Sequence, residues 1–364
     1  MINSLFSKDL PRSRIVTCTL LLLLMAMLVA PIAIGGLTIM SVFVKVAIFV
    51  VLVGSFDLLL GYTGMISFAH TMYFGIGAYG TGIALKSMGA SWEAIAIGFL
   101  SAALLSFVIA VAVGLFSMRT KTIFFAMITL AVANAFAVLV NQFYTITGGH
   151  DGLIFQIPRI LKPAFVIIPR DVFGVPINGT TLSYYGILLI SGLLFLLMLR
   201  IVNSPFGRVL QAIRENELRA EALGFNVLGH RVVVSCIAAV LACVAGALNA
   251  LWLRFVGPEV TLDLQVMLDV LLIVVIGGMG TLYGAVIGAG VFVLAETYLQ
   301  SAIAYIAPMI QETPMLSVII HPDRWVFWLG ILFVVSVYYF PEGIVGRLRN
   351  RAIKRAATKK WMRW

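Results

Sequence analysis

Ten long apolar runs with almost no charge inside them constrain this chain more than any other feature. They fall at 15–34, 37–59, 64–85, 94–117, 123–141, 182–200, 232–255, 264–276, 281–306 and 325–340. A helix needs about twenty apolar residues to cross the hydrocarbon of a bilayer, and most of these runs reach that length. Apolar residues make up 62% of the 364 and charged ones 11%, whereas a soluble domain carries roughly a quarter charged to cover its surface. The exterior must therefore face lipid. The expected fold is an all-α, polytopic membrane protein with about ten transmembrane helices. The run at 264–276 is short and is followed by Gly277, Gly278 and Gly280, as in a broken or re-entrant helix.

The net charge of +10 does not point to nucleic acid, because much of it lies in residues 347–364, directly after the last run. Basic flanks of spans mark the cytoplasmic side and are drawn to anionic lipid. With the N-terminus inside and ten crossings, eighteen of the 25 Lys and Arg fall inside and six outside, with Lys45 in the membrane. Both termini are then cytoplasmic. Lys8, Arg12 and Arg14 precede an apolar run as in a signal peptide, but everything downstream is also membranous, so an uncleaved first helix is expected. Residues 1–346 are expected to form one transmembrane domain, with an outer loop at 144–181 and an inner loop at 203–229. The four prolines at 158, 163, 169 and 176 exclude a continuous helix in the outer loop.

No chemistry of its own is expected from the chain. Cys18, Cys236 and Cys243 lie in apolar runs without metal-ligand spacing, and no GxxxxGK[ST] phosphate loop occurs, so neither a metal nor a cofactor is implied. Gly75-Ile-Gly77-Ala-Tyr-Gly80 has the spacing of a dinucleotide fingerprint but sits inside an apolar run, where small residues serve helix packing. Gly280, Gly284 and Gly288 make a smooth helix face in the same way. Lys45, Asp57, His70, Asp269 and Glu296 are the ionisable candidates within spans. Each charge there costs about 2.5–3.5 kcal/mol on insertion scales, so Lys45 should face protein or a water-filled cavity. Structural pairing is the expected role, ahead of solute contact.

The inner loop is the most informative stretch. Pro205 stops the incoming helix, and an amphipathic helix is expected over 207–223, with Val209, Ala212, Ile213, Ala220 and Leu223 on its apolar side. Arg208, Arg214, Glu215, Glu217, Arg219 and Glu221 supply polar surface, and Gly224 is placed to end it. Such a helix can rest on lipid or dock in a groove of a partner.

Five motifs in order resemble the branched-chain amino acid permease family of ABC importers, on the side of its M-type subunits. They are Asp57-Leu-Leu-Leu-Gly61-Tyr62-Thr-Gly64-Met-Ile-Ser67-Phe-Ala-His70 with Gly75-Ile-Gly77; Thr147-Gly148-Gly149-His150-Asp151-Gly152-Leu153; Ser204-Pro-Phe-Gly207-Arg208 through Ala220-Glu221-Ala222-Leu-Gly224; Gly277-Gly278-Met-Gly280-Thr281; and Phe340-Pro341-Glu342-Gly343. The resemblance implies a multi-pass protein of the bacterial inner membrane. Its implied partners are a second permease subunit of the H-type, two cytoplasmic ATP-binding subunits that hydrolyse the ATP, and an extracytoplasmic solute-binding protein. It makes Arg208, Arg214, Glu215, Glu217, Ala220, Glu221, Ala222 and Gly224 the contact with an ATPase, and Gly148, Gly149, Asp151 and Gly152 the dock for the binding protein. Gly61, Tyr62, Gly64, Ser67, His70, Gly75, Gly77, Gly277, Gly278 and Gly280 are the candidate lining of the pathway. Glu217 and Gly224 are seven apart where the general ABC permease pattern has six, which leaves open the glutamate that fills the motif's role. Relatives importing urea, amides or aromatic solutes keep the solute open. An ion-coupled secondary transporter, the reading from another class, would instead use Asp57, Asp269 or Glu296 for coupling.

Overall fold

The computed structural model describes residues 14–33, 36–117, 122–172, 175–306, 324–339 and 343–346. The basic tail at 347–364, Lys8, Arg12, Arg119, Lys121 and the Phe340-Pro341-Glu342 part of the last motif lie outside the described residues. Among those described, a helix occupies each of the ten apolar runs. They are α1 (Arg14–Ala33), α2 (Leu37–Thr63), α3 (His70–Met88), α4 (Trp92–Ser117) and α5 (Thr122–Gln142). A short α6 (Tyr144–Thr147) follows, then α7 (Gly179–Asn203), α8 (Pro205–Glu215), α9 (Glu217–Ala222), α10 (Val227–Leu253), α11 (Pro258–Thr261), α12 (Leu264–Gly277), α13 (Leu282–Ile306) and α14 (Trp325–Tyr339). Seven stretches of the described residues are long and apolar enough to cross a membrane by themselves: α2, α4, α5, α7, α10, α13 and the pair α11–α12. The eighth run is itself one uninterrupted helix, and with the residues before it reaches crossing length. The 14-residue α12 continues a short piece begun at Pro258, and Asp263 caps α12 by accepting from the Gln265 amide.

Helices α2, α3 and α10 form the centre. In α2 and α10, 67% of the apolar stretch is buried, against 28% in α4 and 22% in α5. Helix α3 packs on α10 through its glycines: a Cβ on Gly77 would collide with the Cys243 carbonyl, and one on Gly246 with that of Phe74. Gly75-Ile-Gly77-Ala-Tyr-Gly80 is therefore a packing face, as small residues allow backbones to approach closely. The Gly284 and Gly288 face meets the backbone of α12 in the same manner. Tyr184 and Tyr185 of α7 hold α1 by donating their hydroxyls to the carbonyls of Met27 (2.5 Å) and Leu28 (2.9 Å).

Two small antiparallel pairs break the all-helical pattern. Strands β2 (Val166–Val172) and β3 (Val175–Asn178) form a hairpin within the proline-rich loop. Strand β1 (Leu153–Ile154) pairs with β4 (Phe255–Val256), tying that loop to the end of α10.

Candidate functional site

Four of the five motifs meet at one end of the bundle. Helix α2 stops at Gly64, which is left-handed and donates to the Leu60 carbonyl at 3.2 Å. Gly61 and Tyr62 thus belong to α2, while Gly64 and Ser67 lie in the link before α3, which starts six residues later than the apolar run suggests. Asp57, buried one turn before Gly61, accepts from the Gly280 amide at 2.9 Å through Oδ1. The Gly61 carbonyl accepts from Arg214 of α8. A Cβ on Gly61 would collide with Asp57 and with the Gly280 amide, and one on Gly343 would collide with the backbone of Gly278. The first signature, the inner loop, the Gly277–Gly280 turn and the last motif thus form one packed junction. Asp57 Oδ2 is buried there without a hydrogen-bond partner.

The inner loop is two helices rather than the single one expected over 207–223. Ser204 caps α8 by accepting from Gly207 at 3.3 Å, with Pro205 at the first helical position. Asn216 then leaves helical geometry (φ −160°, ψ 103°), and its Oδ1 caps α9 by accepting from Arg219 at 3.0 Å. Gly224, at φ +87°, ends α9: its amide donates to Glu221 and that of Phe225 to Ala220. Ile213 and Ala220 are buried as expected, and Leu210 is buried with them. Leu223 departs from the expected apolar face: it is 69% exposed, beside Leu218 at 78%. The reason is the break at Asn216, which turns the face of α9 away from the register of α8. Arg208, Arg214, Glu215, Glu221 and Ala222 have exposed surface. Glu217, also exposed, is gripped by both terminal nitrogens of Arg231, at 2.7 and 2.9 Å.

The remaining motif lies with β1 and β4. Thr147 donates its hydroxyl to the carbonyls of Val140 (2.6 Å) and Phe143 (2.9 Å), closing α6 onto α5. Gly148, Gly149 and Gly152 all have positive φ, and a Cβ on Gly148 would collide with the Gly152 carbonyl. This turn leaves His150 and Asp151 exposed at its tip. His70 is fully buried, edge-on to Phe56 at 5.1 Å and to Tyr73 at 6.3 Å. Neither of its ring nitrogens makes a well-formed hydrogen bond; the backbones of Ser55 and Ser67 are their polar neighbours. Gly75 packs on Leu262, and Gly277 on Gly284.

Sequence reasoning did not find the Lys45–Glu296 ion pair. Lys45 Nζ lies 2.7 and 2.8 Å from the two oxygens of Glu296. The cost of either charge alone in a span was the available signal, but not the identity of the partner. No group of three or more His, Cys, Asp or Glu able to hold a metal occurs among the described residues.

An apolar helical bundle with seven stretches long enough to cross a bilayer defines a multi-pass membrane protein. The family described as "Branched-chain amino acid transport system / permease component" matches residues 38–337, and the chain belongs to it. The chain is 27% identical to the probable branched-chain amino acid transport permease protein LivM of Methanocaldococcus jannaschii, over 75% of this chain and 78% of that one. It is 26% identical to the high-affinity branched-chain amino acid transport system permease protein LivM of Escherichia coli, over 86% of this chain and 71% of that one. The LivH permease protein of the Salmonella typhimurium system is 23% identical over 86% of this chain and 94% of its own. No solved structure gives a significant match.

Proposed function

We propose that the chain is the M-type permease subunit of an ATP-driven importer of branched-chain amino acids. It pairs in the plasma membrane with an H-type permease, as the likeness to both LivM and LivH proteins suggests. In this reading one of two ATP-binding subunits seats on α8–α9, and the pair does the hydrolysis. A solute-binding protein docks on the turn 147–153, around the exposed His150 and Asp151. Both termini and the 203–229 loop are cytoplasmic, and 144–181 faces out.

What supports the coupling role is one observation: Arg214, on the polar arm, is hydrogen-bonded to the end of the central helix α2, where Asp57 holds the Gly277–Gly280 turn. A displacement of the arm cannot leave α2 and the α12–α13 turn unmoved while these bonds stand. The exposed Leu218 and Leu223 supply an apolar docking face on α9.

The test uses the assembled importer. Glu221→Lys and Gly224→Pro are expected to leave membrane insertion intact and to cut uptake by about tenfold or more, while ATP hydrolysis continues. Normal uptake in both variants removes the coupling assignment.

A further inference from the structure

Gly77, Gly277 and Gly288 are packed against neighbouring backbone, whereas the partly exposed charges of the spans lie elsewhere. Lys45 of α2, Asp269 of α12 and Glu296 of α13 come together from three helices. Lys45 Nζ also lies 5.6 Å over the Phe49 ring. Asp269 is near enough to both partners to interact electrostatically, and its Oδ1 accepts from the neutral Gln265 amide at 3.2 Å. With Lys45 matched by Glu296, the triad holds one negative charge in excess.

Its depth makes contact with lipid costly. Lys45 stands eight residues after the first of α2, about 12 Å along the axis, and Glu296 ten before the last of α13, about 15 Å. A charge near the centre of a span costs on the order of 3 kcal/mol. Yet the Lys45 and Glu296 side chains are 39% and 24% exposed, unlike the buried Asp57 and His70. The outer face of α4 and α5 shows the opposite character. Leu100, Leu104, Phe107, Ile123, Phe124 and Met127 are exposed there, and beyond Glu93 in its first turn neither helix carries a charge. That face suits lipid, and the triad's face suits water.

We propose that the face of α2, α12 and α13 bearing the triad lines the aqueous solute path and receives both end groups of a zwitterionic α-amino acid. Asp269, the carboxylate that Lys45 does not match, takes the ammonium, and Lys45 takes the carboxylate. This rests on the amino-acid importer reading and narrows it, because a neutral amide or urea has no use for paired charges of both signs.

The double variant Lys45→Met/Glu296→Gln removes both charges together, a change that a purely structural pair often tolerates. In the importer reconstituted with its partners, leucine uptake is expected to fall about tenfold or more; uptake within about twofold of the parent overturns the proposal. Independently, Asp269→Cys, placed in a chain whose Cys18, Cys236 and Cys243 are serine, is expected to react with methanethiosulfonate-ethylammonium in the assembled importer. Absence of reaction, as a cover of lipid or protein would give, overturns the proposal even where the double variant fails to assemble. A parent complex whose ATP hydrolysis is not stimulated by amino acid strikes the importer reading instead, so the two failures are distinguishable.

Discussion

The two ends of the bundle are fastened by different means. At the α8–α9 end, side chains reach across to backbone: Arg214 to the Gly61 carbonyl, and Asp57 to the Gly280 amide. At the opposite end, backbone meets backbone in the β1–β4 pair, extended by the Phe155 amide donating to the Arg254 carbonyl at 3.3 Å. A strand pair fixes its geometry through several coupled bonds, whereas a side-chain bond is released by one rotamer change. The first end is therefore suited to rearrange and the second to keep its shape.

Substitutions at each end test this contrast. Gly148→Val should do the most damage, because its φ is +78° and the new Cβ would collide with the Gly152 carbonyl. A loss of about 3–4 kcal/mol is expected from strain and overlap together, read by thermal unfolding of the detergent-purified chain. A smaller loss than at Arg214 would reverse the ranking of the ends. Arg214→Gln removes the bond to Gly61 and should cost about 1–2 kcal/mol in the same measurement. Its uptake should fall further than that loss accounts for, and unchanged uptake would mean that the arm does not drive α2. Leu218→Ser, on the exposed side of α9, should shift stability by less than about 0.5 kcal/mol. It should nonetheless lower recovery of the ATP-binding subunits on a tagged chain; undiminished recovery would leave α9 without that role.

Much of the helical layout was legible because apolar length is a local property. Each run carries a helix, and where bounds moved, the cause is a specific residue: Gly64 caps α2 and pushes the start of α3 to His70. The break at Asn216 carried a local sign too, an asparagine three residues before the amide it caps, but the amphipathic pattern ran across it and hid the elbow. The junction of motifs and the Lys45–Glu296 pair were not legible. The latter joins residues 251 apart, and nothing in either neighbourhood specifies the other. The pairing of Leu153–Ile154 with Phe255–Val256 was hidden for the same reason. Sequence distance also hid the close neighbours of individual glycines, Cys243 for Gly77 and Gly284 for Gly277.

The elbow at Asn216 has a mechanical consequence. One arm, α8, is bolted through Arg214 to the foot of α2; the other, α9, is strutted by Glu217 and Arg231 to the foot of α10. Thrust applied at the tip would thus divide into two branches that enter two largely enclosed columns of the bundle. The outlying α5, which packs only lightly on its neighbours, receives neither branch directly and is free to stay anchored in the bilayer while the interior shifts.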